Sequence, residues 1–166
     1  MAHAHQGTVT PRVVTLTVSD TRTAADDEGG RTLGELLTTA GATVLRHAIV
    51  TDDPPRIQDA VREAIERDGA DVVVATGGTG IAPRDQTFEA LDALLEKRLD
   101  GFGEAFRRLS WDEIGPRAIL SRAVMGTRGR AVIVALPGSV SAVLLAVTRV
   151  LAPVLPHAVE IGRAHV

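Results

Sequence analysis

The sequence predicts an α/β fold built around a mostly parallel sheet, and two features of the pattern predict it. Short, Val-rich apolar runs recur along the chain, and segments with helical periodicity separate them. The runs are Val13–Val18, Val44–Val50, Asp71–Ala75 and Ala131–Leu136, each bounded by turn residues. Continuous apolar runs, rather than alternating ones, suit parallel strands covered on both faces. Alternating strand and helix then implies right-handed crossovers.

The intervening helices follow from their stripes. Leu33, Leu36, Leu37 and Ala40 form one, stopped by Gly41. Ile57, Ala60, Val61, Ala64 and Ile65 form a second, stopped by Gly69. Val140, Val143, Leu144, Val147 and Leu151 form a third, with Ser139 placed to cap it. The stretch from Phe88 to Arg122 reads as mostly helical, broken at Gly101, Gly103 and Gly115, and is expected to pass over the sheet.

Composition narrows the function classes. The chain has 166 residues, 45% of them hydrophobic, which suits one domain with a real core. Residues 1–11 are expected to form a loose tail and residues 12–166 a single domain, with His3 and His5 solvated rather than metal-bound. The chain contains no cysteine, so disulfides, thiolate metal sites and cysteine nucleophiles are excluded. Neither a signal peptide nor a bilayer-length apolar span is visible, and a soluble, cytoplasmic protein is expected. The net charge is -3 and the aromatic residues are three Phe and one Trp, which argues against nucleic acid as a partner.

Open α/β sheets bind ligands beyond the carboxyl ends of their strands. The four runs end in Ser19-Asp20-Thr21, Thr51-Asp52-Asp53, Thr76-Gly77-Gly78-Thr79-Gly80 and Pro137-Gly138-Ser139. Four loops of small or acidic residues at one sheet edge describe a pocket. The loop Thr76 to Asp85 reads TGGTGIAPRD, and its glycines permit tight turns with amides free to donate to phosphate. It lacks the Gly-Lys-Ser/Thr ending of a Walker A loop. It also fails the dinucleotide fingerprint, whose third glycine would fall on Pro83, so a Rossmann-type oxidoreductase is disfavoured.

Two readings stand for each charged residue here. Asp85 beside a phosphate cradle calls for Mg²⁺, or else it caps the helix beginning near Thr87. Asp52 leans into the pocket toward Asp85, or Asp52 and Asp53 simply form an acidic helix start. Arg122 clamps a phosphate, or pairs on the surface. Gly78 is expected to matter for close approach of phosphate more than for stability.

These residues also carry a family resemblance. TGGTGIAPRDQTFEAL, the Pro-Gly-Ser turn, LSRAVMG, and the opening VSDT with the later Asp27-Glu28-Gly29-Gly30 resemble the molybdenum-cofactor biosynthesis domain of the MogA and MoaB proteins. The segment Gly101 to Gly115, GFGEAFRRLSWDEIG, is similar to the MoaB branch in particular. The family's usual Asp-x-Ser-Gly lacks its serine here.

The resemblance implies a three-layer α/β/α fold, a homotrimer or a hexamer, and possible contact with other molybdenum-cofactor enzymes. It implies adenylylation of molybdopterin by Mg-ATP, or alternatively a non-catalytic molybdopterin-binding or scaffold role. By position, Asp52 and Asp85 match the catalytic, Mg²⁺-associated acids, and Thr76, Gly77, Gly78, Thr79 and Gly80 match the nucleotide-phosphate loop. Ser19, Asp20, Ser121, Arg122, Pro137, Gly138 and Ser139 match the pterin pocket. The trimeric relatives and the four aromatic residues point to an interface in the segment Phe88 to Gly115; the alternative is a satellite core. Phe102 and Phe106 lie four residues apart there, with Trp111 close behind.

Overall fold

The computed structural model describes residues 9–164. Six strands form one sheet: β1 (Arg12–Val18), β2 (Thr43–Val50), β3 (Val72–Thr76), β4 (Lys97–Arg98), β5 (Val124–Arg128) and β6 (Ala131–Leu136). Their order across the sheet is β2-β1-β3-β6-β5-β4. The strands β2, β1, β3 and β6 run parallel, while β5 is antiparallel to β6 and β4 antiparallel to β5. The helices are α1 (Glu28–Thr39), α2 (Pro54–Glu66), α3 (Thr87–Asp92), α4 (Asp100–Ile114), α5 (Val140–Leu145) and α6 (Leu155–Ala164). A 3-10 turn, Gly115–Leu120, follows α4, and a π-helical stretch, Ala146–Leu151, continues α5.

Side chains of one strand alternate between two cores, and this makes the molecule three-layered. Val72, Val74, Val132 and Val134 join Leu33, Leu37, Phe106 and Val143 on the face covered by α1, α4, α5 and α6. Val73, Ala75, Ile133 and Ala135 join Ile57, Val61 and Leu91 on the face covered by α2 and α3. All four expected strands and all three helical stripes are present. Ser139 caps α5 as expected, its hydroxyl accepting from the Ala142 amide at 3.2 Å. No single helix among the described residues is long and apolar enough to cross a membrane.

The structure corrects the segment from Phe88 to Arg122. It does not pass over one face as a helical excursion: α3 lies on one face, β4 turns the sheet edge, and α4 covers the other face. Gly101 and Gly103 lie inside α4 rather than breaking it. Gly103 is where α4 comes close to the sheet, since a Cβ there would stand 3.0 Å from the Ala123 carbonyl oxygen. Only Gly115 ends the helix, at φ 66°. The strand β5 was not anticipated because VMGTR offers no continuous apolar run. Its Gly126 lets β4 approach, with a Cβ position only 2.5 Å from the Lys97 carbonyl oxygen.

Two aromatic residues are likewise reassigned. Phe102 and Phe106 are buried in the core under α4, so the satellite-core reading holds for them. Trp111 is 49% exposed, beside the exposed Ile114, Ile119 and Leu120. Of the expected tail, residues 1–8, including His3 and His5, lie outside the described residues. Its last residues are held: Val9 packs against the core, and the buried Pro11 accepts from the Thr43 amide at 2.8 Å.

Phe106 is 1% exposed, so Phe106→Ala should cost about 3–5 kcal/mol, measured by urea unfolding. A loss under about 1 kcal/mol would place Phe106 outside the core.

Candidate functional site

The chain reverses direction across the sheet between β1 and β3, because β2 lies on one side of β1 and β3 on the other. Gly77 stands at the carboxyl end of this junction. Its amide donates to the Leu136 carbonyl at 2.9 Å, continuing the β3–β6 ladder by one bond. Its φ of 98° excludes ordinary side chains, and a Cβ would lie 2.5 Å from the Val18 carbonyl oxygen. The ends of β1, β3 and β6 can therefore close together only around a glycine.

A cavity of about 390 Å³ opens there, lined by Ser19, Thr76, Gly77, Gly138, Ser139 and the start of α1. The Thr76 hydroxyl donates to the Pro137 carbonyl at 2.9 Å, tying the glycine loop to the Pro-Gly-Ser turn. Gly29 supplies the opposite wall. A Cβ on Gly29 would stand 2.8 Å from the Gly138 carbonyl oxygen, so a serine there would force the two backbones apart. The missing family serine thus goes with a close α1 contact to the turn.

Asp27 anchors that start of α1. Its Oδ1 accepts from the Gly30 amide at 2.9 Å, while Oδ2 accepts from the Thr17 hydroxyl at 2.7 Å and meets His47 Nε2 at 2.8 Å. Burial alone would raise the Asp27 carboxyl, but Thr17, Gly30 and His47 together outweigh it and hold it below the usual range. The sequence pattern missed this cluster. Its signal was Thr15 and Thr17, polar residues on one face of an otherwise apolar β1.

Beside the cavity Asp52 lies between Asp20, which its amide meets, and Asp85, whose charge acts on it. The Asp52 amide donates to Asp20 Oδ1 at 3.0 Å, and Asp52 Oδ1 accepts from the Gln86 amide at 3.1 Å. Arg84 forms an ion pair with Asp20, which together with the Asp52 amide lowers the Asp20 carboxyl. Among the described residues neither Asp52 nor Asp85 makes an ion pair. Burial first, then the charges of Asp20 and Asp85, push the Asp52 carboxyl above its ordinary value.

The alternative readings now resolve. Asp85 does not cap α3, whose N-cap residue is Gln86; its Oδ2 accepts from the Ala82 amide at 2.9 Å within the loop. Asp53, not Asp52, occupies the N-cap position of α2, and its side chain makes no capping bond. Asp52 and Asp85 thus each accept a loop amide, and neither caps a helix. No group of three His, Cys, Asp or Glu residues converges as a metal-ligating cluster among the described residues. Two carboxylates without cationic partners nonetheless fit Mg²⁺, which keeps several waters and takes phosphate oxygens as further ligands.

Arg122 is not free to clamp a ligand. Its Nε and Nη2 donate to the Gly80 carbonyl at 3.0 and 2.7 Å, and Nη2 also donates to the Asp85 carbonyl at 2.9 Å. It pairs with Glu89 and lies over the Phe88 ring, 5.2 Å from its centroid. Arg122 is therefore a brace for the glycine loop. Ser121 also departs from expectation, because it lines a separate cavity and its buried hydroxyl has no hydrogen-bond partner. Gly78 is required by the fold as well as by any phosphate. Its φ is 68°, and a Cβ would meet the Thr87 hydroxyl and lie 2.9 Å from Asp52 Oδ2. Replacing it would damage stability directly, contrary to the expectation of a selective effect.

These features define an α/β protein with a ligand crevice at its sheet reversal, flanked by a glycine turn and an unneutralised carboxylate pair. Residues 14–157 match the family model described as "Probable molybdopterin binding domain". The chain is 47% identical over 156 residues to molybdenum cofactor biosynthesis protein B of Bacillus anthracis, covering 93% of this chain and 92% of that one. It is similar to a solved molybdenum cofactor biosynthesis protein B at 45% identity and a TM-score of 0.91, covering 94% of this chain and 98% of the other. It is also similar to the tungsten cofactor synthesizing protein MoaB from Pyrococcus furiosus, at 37% identity and a TM-score of 0.84, covering 93% and 98%. The chain belongs to this molybdopterin-binding-domain family and has a role in molybdenum cofactor biosynthesis.

The raised Asp52 carboxyl fixes the sign of one prediction. Above the raised value the charged carboxylate opposes folding; below the ordinary carboxylate range both states are protonated and the penalty vanishes. Asp52→Asn should therefore raise the melting midpoint by about 1–3 °C at neutral pH, and the gain should fade in acid. Thermal unfolding at steps of about one unit from roughly pH 3 to 8 measures it. A gain that persists unchanged in acid would show that charge is not its cause.

Proposed function

We propose that the protein adenylylates molybdopterin, using Mg-ATP and releasing pyrophosphate. The single observation that supports this most is the Asp52–Asp85 pair, without cationic partners, beside the positive-φ turn Gly77-Gly78. Two anionic substrates must meet in such a reaction, so the main task is positioning and charge neutralisation. An oxygen of the pterin's terminal phosphate attacks the α-phosphorus of ATP. The bond from the α-phosphorus to the bridging oxygen breaks, and the electron pair leaves with pyrophosphate. The attacking phosphate is already ionised near neutral pH, so no strong general base is needed.

In this reading the amides of Gly78, Thr79 and Gly80 present donors to phosphate oxygens, while Thr76 and Gly77, whose amide is taken by the Leu136 carbonyl, set the course of the loop. Asp52 and Asp85 would hold Mg²⁺, which when bound supplies charge to screen the phosphates. Ser19, Asp20 and the turn Pro137-Gly138-Ser139 line the pocket for the pterin. Arg122 holds Gly80 and Asp85 in place through their carbonyls. Arg84 restrains Asp20, so that the third aspartate does not compete for the cation.

We further propose a homotrimer or a hexamer, supported by the exposed apolar group Trp111, Ile114, Ile119 and Leu120 at the end of α4. Trp111 and Ile119 line one shallow hollow there, which suits an aromatic anchor.

Purified protein supplied with ATP, Mg²⁺ and molybdopterin should yield adenylylated pterin, detected by mass spectrometry. Asp85→Asn should lower turnover by about a hundredfold or more while keeping the wild-type circular dichroism spectrum. Pterin bound without any adenylylated product would instead indicate the non-catalytic role.

Light scattering should give an oligomer for the wild-type chain, and Trp111→Ala together with Ile119→Ala should shift it toward monomer. A monodisperse wild-type monomer at micromolar concentration would refute the assembly.

A further inference from the structure

At the amino ends of the strands, opposite the glycine loop, lies a second cavity of about 860 Å³. Four arginines, Arg12, Arg128, Arg130 and Arg163, face two acids, Asp71 and Glu96, around it. Asp71 is ion-paired, and Glu96 is hydrogen-bonded to the backbone. Asp71 Oδ2 accepts from the Arg12 amide at 2.9 Å and from Arg163 Nη2 at 2.5 Å, and Oδ1 accepts from Arg163 Nε at 3.1 Å. Glu96 Oε1 accepts from the Gly129 amide at 2.9 Å. Arg128 Nη1 donates to the Leu94 carbonyl at 3.2 Å. Among the described residues the guanidinium groups of Arg12 and Arg130 have no acidic partner.

The backbone presents both groups. Gly69, at φ 67°, carries no side chain where Arg12 Nη1 passes, and a Cβ there would be 3.3 Å from it. Gly129, at φ 56°, makes the turn between β5 and β6 that carries Arg130. Arg130 is fixed from behind, because α6 packs on its carbonyl: a Cβ on Gly162 would lie 2.5 Å from that oxygen. The remaining wall includes Ile65, Ala70 and Ala131. Two unpaired guanidiniums above an apolar wall match a planar fork for phosphate with room for an organic body.

We propose that this cavity binds a phosphate monoester of a small organic molecule, its phosphate on Arg12 and Arg130 and its body on Ile65, Ala70 and Ala131. The site is separate from the glycine-loop crevice, and the proposal does not depend on adenylylation. Its volume exceeds what inorganic phosphate would fill, so affinity is shared between charge and apolar contact.

The test follows backbone amide resonances while phenyl phosphate is titrated into the full chain without Mg²⁺ at constant ionic strength. The amides of Gly69, Gly129 and Ala131 should shift and saturate. Inorganic phosphate should bind there at least about tenfold more weakly. The double variant Arg12→Ala/Arg130→Ala should weaken the phenyl phosphate response at these amides by about tenfold or more, and Arg12→Lys/Arg130→Lys should restore part of it. Both side chains are exposed and make no bonds among the described residues, so the variants should melt like the wild type. The proposal falls if these amides show no saturable shift, if inorganic phosphate binds equally well, or if the alanine variant responds unchanged. Shifts confined to Gly77 and Gly78 would place the only phosphate site at the glycine loop and overturn it too.

Discussion

The close approach of Gly77 to the end of β1 is the constraint on which the site depends. Parallel strands β1, β3 and β6 converge where their carbonyls and amides leave the sheet, and no side chain fits between them. A glycine with positive φ satisfies both the geometry and the ladder, since its amide still pairs with Leu136. Everything downstream inherits its position from this turn. Thr76 is tied to Pro137 just before it, and Thr87 returns after it to donate its amide to the Gly78 carbonyl at 3.1 Å. The loop between is closed by Arg122 from outside.

Charge in the site is distributed unevenly, and the imbalance is informative. Asp20 is compensated by the Asp52 amide and Arg84 and Asp27 by a buried hydrogen-bond set, whereas Asp52 is pushed up by burial first and then by the charges of Asp20 and Asp85. Keeping Asp52 ionised near neutral pH opposes folding, which is an arrangement expected of functional rather than structural carboxylates. A cation held between Asp52 and Asp85 would relieve the repulsion.

The two ends of the sheet present different groups. At the carboxyl ends, the glycine loop offers amides beside acids, a combination suited to phosphate accompanied by a metal ion. At the amino ends, arginine side chains surround Asp71, which is ion-paired with Arg163, and Glu96, which accepts from the Gly129 amide. One end therefore depends on backbone conformation and the other on side-chain charge.

The strands, the helical stripes and the position of the ligand loops were legible in the sequence, because apolar periodicity and glycine-rich punctuation are local properties. Asp52 and Asp85 were legible as candidates for the same reason, each following a strand or its loop. The family resemblance supplied their expected roles. The sequence left open whether Asp52 leans into the pocket or joins Asp53 as an acidic helix start, and the fold puts Asp53 at the N-cap position of α2 without a capping bond. It left two readings each for Phe102, Phe106 and Arg122, and it put Ser121 in the pterin pocket, because the surroundings of all four come from segments distant in the chain. Phe106 is buried by packing between α4 and the sheet, and Arg122 is fixed by its bonds to the Gly80 and Asp85 carbonyls, which lie far earlier in the chain. Strand β5 escaped notice because its pairing with β6 and β4, not its own pattern, makes it a strand. Local chemistry determined what could form; long-range packing decided which side chains were buried, braced or left facing the site.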